Sequence, residues 1–366
     1  MKILIALRGA ILALVILPAW TALGQTNALP REITSPSGPL TDGQRAQVAQ
    51  FVDDWMRRLV TPVDDPSDRQ SIDQARRALA GPQTLTAPGG LSPHFRTVYS
   101  EALIPHLKRA LDGEDDRAAV EALHIAAKLG TDAGMALVTA AIECDNPHRR
   151  AAAAARARLG VIDFQNGGAR SMVAPGIITT LSRKVGDVAM KETESYALQR
   201  QIELLNAIHS AAQAQQIAAL ADNVAETRKK LLDHRANSLS NSEVDAVTVL
   251  LGTLRDHYQF TPATQDEDGE ILAQSIRKLL EAASRNWDEA QNEPAVRESY
   301  GRLIEDSESF LSFIDKTKRR DQQPPTPDTR LPEHWERGDK PQFEQDRQEW
   351  DNLLNGEPYN SQLRGR

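Results

Sequence analysis

The stretch DNPHRRAAAAARARLG, residues 145–160, sets five consecutive alanines between two pairs of arginines. A nucleic-acid clamp, a membrane-surface helix and a structural repeat would each use such a run. On a helix advancing 100° per residue, Arg149 and Arg156 are seven apart and share one stripe to within about 20°. Two guanidiniums on one stripe can grip an acidic partner. If the stripe packs, they must be paired or reach its edge, because an unpaired buried charge is costly.

The other reactive side chains are scattered. None of the eight histidines forms an i, i+4 pair. His148 follows Cys144 by four residues, but Asn146 and Pro147 start a new helix between them, and no third ligand lies close in sequence. His124 edges the apolar face marked by Val120 and reads as structural. Cys144 is the single cysteine, so no internal disulfide is expected, and it reads as a small buried residue. DEDG, residues 266–269, resembles part of a calcium loop. With Gly269 at the sixth position, however, Ser275 stands where the bidentate Glu belongs. Gly167-Gly168 lacks the lysine and the strand of a phosphate loop. No G-x-S-x-G occurs. Acidic pairs such as Asp53-Asp54 and Asp64-Asp65 read as exposed helix or turn residues. No catalytic residue, cofactor site or metal site is expected.

Charge excludes another class. The net charge is −8, and it becomes −10 once Lys2 and Arg8 leave with a leader. A polyanion-gripping protein shows the opposite balance, and the arginines have no interleaved aromatics, so nucleic acid is not an expected partner.

The leader is residues 1–24. Lys2 and Arg8 precede the apolar run GAILALVIL, which is too short for a span of roughly 20 residues. Ala22-Leu23-Gly24 places small residues before a cleavage point at Gln25. Export to the periplasm or medium follows, with no stable membrane insertion of the processed chain.

Residues 25–39 are polar and Pro-rich and read as a flexible linker. From residue 40 helix formers dominate, and aromatics make up only 5% of the whole chain. Thr41 is a candidate N-cap for a helix carrying Val48, Phe51, Val52, Trp55, Met56 and Leu59. A second helix is expected over 68–79. A third is expected over 93–111, with a kink or break at Pro105. Further helices are expected over 117–129, 132–142 and 147–159, the last two separated by a turn with Asn146 as N-cap and Pro147 at the first helical position. Gly130 and Gly160 read as helix stops. Longer helices are expected over 173–185, 191–212, 215–235, 242–257, 271–287 and 294–314, with a loop at 266–269. Beyond Lys316, six prolines and few aliphatics predict an extended or disordered tail over 316–366. Trp335, Phe343, Trp350, Leu353 and Leu354 stand out there, as residues that either dock back on the solenoid or meet a partner, Trp335 and Trp350 being the candidate partner-binding residues.

ALHIAAKLG, ending at Gly130, aligns with AAAARARLG, ending at Gly160, at an offset of 30 residues. A period near 30 with two helices per unit is an α-solenoid signature. The pattern of Asp, Pro, a basic residue, paired alanines and Leu-Gly resembles the second helix of short HEAT-like repeats, well over about residues 93–160 and loosely elsewhere. The resemblance implies an all-α, HEAT/ARM-like right-handed superhelix of antiparallel hairpins over 40–315. In that family the positions of Arg149 and Arg156 are normally small or aliphatic; the preceding unit has Ala119 and Ala126 there. Salt bridges to acidic residues in the segment that follows are therefore expected, and the competing reading is a basic spot for an acidic partner.

A helical-repeat surface implies a non-enzymatic protein-binding or scaffold module outside the cytoplasm, with a protein or peptide partner. Two other readings stay open: an enzyme or enzyme accessory acting on a cell-envelope polymer, and an assembly protein that uses its C-terminal tail. The oligomeric state is open.

Overall fold

Local signals decide where the helices start. Thr41 and Gln44 form a reciprocal capping box at the head of α2 (Asp42–Leu59). Asp115 accepts from the amides of Arg117 and Ala118 at the head of α5 (Asp116–Lys128). Asn146 accepts from those of His148 and Arg149, with Pro147 at the first position of α7 (Pro147–Asn166). Each cap satisfies backbone donors that a helix start leaves without partners.

The computed structural model describes residues 28–62, 65–84, 91–167, 171–260, 265–319, 326–356 and 358–359. The expected leader, residues 1–24, lies outside them. The described chain is all-α, with no strand. The remaining helices are α1 (Arg31–Thr34), α3 (Pro66–Thr84), α4 (Pro93–Asp112), α6 (Asp132–Ala141), α8 (Pro175–Ala189), α9 (Ser195–Ala214), α10 (Ala218–Asn237), α11 (Val244–Phe260), α12 (Gln265–Arg285), α13 (Trp287–Asn292), α14 (Pro294–Arg319), α15 (Leu331–Arg337) and α16 (Lys340–Leu354). A 3-10 turn, Asn241–Glu243, precedes α11.

Most helices pack against the next one, and from α2 to α12 each also packs on the next but one. The even helices α2, α4, α6, α8, α10 and α12 form one file, and the odd helices α3, α5, α7, α9 and α11 form the other. One apolar core is continuous from Leu29 to Tyr359. The long α14 packs on α11 and α12 and closes that end.

Small residues set the spacing. A Cβ at Gly134 on α6 would collide with the Ala126 carbonyl of α5, and one at Gly160 would lie 2.5 Å from Met135 Sδ. Gly134→Ala is expected to destabilise the fold by about 1–3 kcal/mol, even against the ~1 kcal/mol of helix propensity it gains, because backbone must move. Gly160→Ala should cost less, because a methionine end can turn aside. Urea unfolding of both variants checks the order; equal costs would mean that the α5–α6 contact is not the tight one.

Several expectations need correction. The flexible linker over 25–39 is packed where it is described: Ile33 is buried, and the Ser92 amide donates to the Thr34 carbonyl. No break occurs at Pro105, which lies inside the continuous α4. DEDG is not a loop but the first turns of α12, with Lys229 Nζ on Asp268 at 2.5 Å. Gly160 does not stop its helix; α7 runs to Asn166 and ends at Gly167, which has φ +62°. A stop signal is overridden when the following residues, here Val161 and Phe164, bury apolar surface.

The largest correction concerns the tail over 316–366. α14 extends to Arg319, and α15 and α16 fold back onto α14 and α12. Gly338, in the left-handed region at φ +71°, joins them. Phe343, Trp350 and Leu354 recur at helical spacing and are buried. Tyr359 Oη donates to Asp315 Oδ1 at 2.7 Å, and Asp315 also receives Arg319 and Thr326. A composition poor in aliphatics still folds here, because a few aromatics each bury a large area.

Candidate functional site

The arginines of α7 divide by direction. Arg149 reaches back: its Nε lies 2.5 Å from Asp116 Oδ1, and its Nη1 and Nη2 donate to the Leu111 and Gly113 carbonyls at 3.0 and 2.8 Å. It thus ties off the last carbonyls of α4 and pairs with an acid at the start of α5. Arg150 reaches forward. Its Nε and Nη2 meet both oxygens of Glu192 at 2.8 and 2.7 Å, and its Nη1 donates to the Cys144 and Asp145 carbonyls. The expected pairing with the following segment therefore exists, but Arg150 makes it. Arg149 pairs with the preceding segment instead.

Arg156 makes no ion pair among the described residues, and its Nε is buried without a partner. It lies close enough to His124 to act on it. Burial first, then Arg156, Arg76 and Lys128, push His124 down to about 4, so this imidazole is neutral at pH 7. Arg76 is matched by Asp73 and Glu121, and Lys128 by Asp163 at 3.5 Å. The uncompensated charge of this cluster belongs to Arg156.

Trp335 and Trp350 are not surface anchors. Each is 1% exposed. Trp335 Nε1 donates to the Arg297 carbonyl at 2.9 Å, and its ring meets Trp287, Tyr300 and Phe343 at centroid distances of 4.6, 5.5 and 6.1 Å. Trp350 Nε1 donates to Thr329 Oγ1 at 2.8 Å. As candidate partner-binding residues both are corrected: they hold the C-terminal hairpin on the chain's own core.

Cys144 is half-buried, with Sγ 3.4 Å from the Asn146 carbonyl, and burial raises its thiol away from reactive thiolate. Among the described residues no group of three or more His, Cys, Asp or Glu is arranged to hold a metal ion. No described helix is long and apolar enough to cross a membrane.

One site escaped sequence reasoning. Asn206, His209 and Gln213 of α9, Arg228 of α10, and Thr253 and His257 of α11 line a cavity of about 250 Å³. The His209 and His257 rings meet edge to face at 4.7 Å. Arg228 is 2% exposed; its Nη1 donates to Asn206 Oδ1 at 3.0 Å, while Nε and Nη2 have no partner. The signal was present as polar residues at helical spacing on an otherwise apolar α9, but such residues ordinarily mark a solvated face.

Compared with protein-family models, with curated proteins and with solved structures, the chain matches none of them.

Proposed function

We propose that this chain is an exported, non-enzymatic protein-binding module. Its helices form a HEAT-like right-handed solenoid, and the α5–α7 face receives an acidic segment of a protein partner. The two files of helices, each packed on the next but one, support the solenoid reading. The observation that carries the binding reading is Arg156. In a chain of net charge −8, it is a half-buried guanidinium with no carboxylate opposite it among the described residues, beside a neutral histidine and two already matched cations. A partner's carboxylate there gains a charge-assisted hydrogen bond and supplies a counter-charge. The buried Trp335 and Trp350 remove the anchors on which a tail-driven assembly would have relied.

Capture of partners from the organism's envelope fraction, with a photo-crosslinker placed beside residue 156, tests this. Arg156→Ala is expected to lose the crosslinked partner while unfolding at the same urea concentration as the parent. Arg149→Ala should keep the partner but lose about 1.5–3 kcal/mol of stability, because its hydrogen bonds are all internal. Capture unaffected by Arg156→Ala would refute the reading.

A further inference from the structure

Arg228 has no structural employment that explains its burial. It is 2% exposed, yet among the described residues no carboxylate lies within salt-bridge distance of its guanidinium. Burial lowers it only to about 10, so it remains a cation at neutral pH. A buried charge without a counter-ion is among the most costly features a fold can carry. Its one described hydrogen bond uses Nη1, to Asn206. The two donors left over, Nε and Nη2, are the side-on edge of the guanidinium, the edge that meets an oxyanion with two parallel hydrogen bonds. His209 Nε2, from the facing helix, is likewise buried without a partner. Burial first, then Arg228 and His257, hold His209 down to about 3, so the imidazole is neutral and can present a donor without adding charge.

Arg228 and His209 line one cavity, together with Asn206 and His257. The other lining side chains, Ser210, Gln213 and Thr253, are neutral, and the one acid, Asp256, is exposed. About 250 Å³ equals the liquid volume of roughly eight waters, room for a phosphate or a short dicarboxylate.

We infer that the cavity between α9, α10 and α11 is a binding site for a small oxyanion, a phosphate or carboxylate group held by the Arg228 Nε/Nη2 edge with His209 beside it. The site is independent of the α5–α7 face, and either reading survives the failure of the other.

The test uses the purified protein with sodium phosphate, sulfate and succinate in turn, at ionic strength matched with sodium chloride. Calorimetric titration and thermal unfolding are read together. Expected is a saturable response to phosphate or succinate, the unfolding temperature rising with the logarithm of anion concentration above Kd. Arg228→Met should abolish it, and Arg228→Lys should weaken it at least tenfold, since an ammonium lacks the planar fork. The imidazole resonances of His209 and His257 in the parent protein should shift with the same anion and the same midpoint, a readout that needs no variant. No saturable binding of any of the three anions would overturn the inference. So would equal binding by Arg228→Met, or a titration that leaves both imidazoles unmoved.

Discussion

Arg150→Ala is expected to lower the unfolding free energy by about 3–5 kcal/mol, the cost of breaking a buried ion pair from one side. Glu192 is the reason. Its side chain is fully buried, and Arg150 meets both of its oxygens. Gln201 Nε2 and the Thr193 and Glu194 amides complete its shell. The Glu192 carbonyl also receives Arg235, which pairs with the buried Glu243 at 2.6 Å. Removing Arg150 therefore leaves a buried carboxylate short of two charge-assisted bonds, at the junction of α7, α8 and α9 where a series of further pairings begins. Urea unfolding gives the magnitude. Glu192→Gln in the Arg150→Ala background should recover part of the loss, because an amide costs less to bury than a carboxylate.

The pH dependence has a definite sign. Burial pushes the Glu192 carboxyl up, but Arg150, the Glu194 amide and Gln201 outweigh it, so its pKa lies below the ordinary 4.5. A group whose folded pKa is depressed contributes stability that is present above the unfolded pKa and lost as pH falls through the folded one. The parent protein should thus lose this contribution below about pH 4.5. In Arg150→Ala the depression shrinks, and the slope of stability against pH in that window should be smaller. An unchanged slope would show that the pair does not set the acid limb.

Trp335→Ala is expected to cost about 3–5 kcal/mol, as for other buried Trp truncations, and to release the C-terminal hairpin from the core. The indole is 1% exposed and lies in contact with Trp287, Tyr300 and Phe343, so the cavity left cannot collapse around any single neighbour. Deleting residues 326–366 should do more. It uncovers Trp287 and the faces of α12 and α14 on which α15 and α16 rest, and it leaves Asp315 without Thr326 and Tyr359. The truncated chain should bind a hydrophobic dye and aggregate on heating, since a large exposed apolar patch drives association. A free interaction arm would behave differently: its removal would leave the unfolding midpoint unchanged and abolish partner capture.

The sequence by itself determined most helix positions in this protein, because the signals act within four or five residues. Thr41, Asp115 and Asn146 accept from backbone donors two or three positions on, and Pro147 suits a first turn wherever that turn later packs. The all-α class follows from the same local choices, and the 30-residue offset lies in the region where α4 to α7 pack on one another. Only the tertiary structure decided which neighbour each side chain meets. Arg149 and Arg150 are adjacent in sequence but 100° apart on α7, so one faces back to Asp116 and the other forward to Glu192. Gly160 looked like a stop, but burial of Val161 and Phe164 carries the helix past it. The tail looked extended because its apolar residues are few, and no local rule reports that Trp335, Phe343 and Trp350 find a ready surface on α12 and α14. The Arg228 cavity takes its walls from three helices spread over some fifty residues. A buried cation with no counter-ion among the described residues is recognised by what surrounds it in space, and only the packed chain shows that.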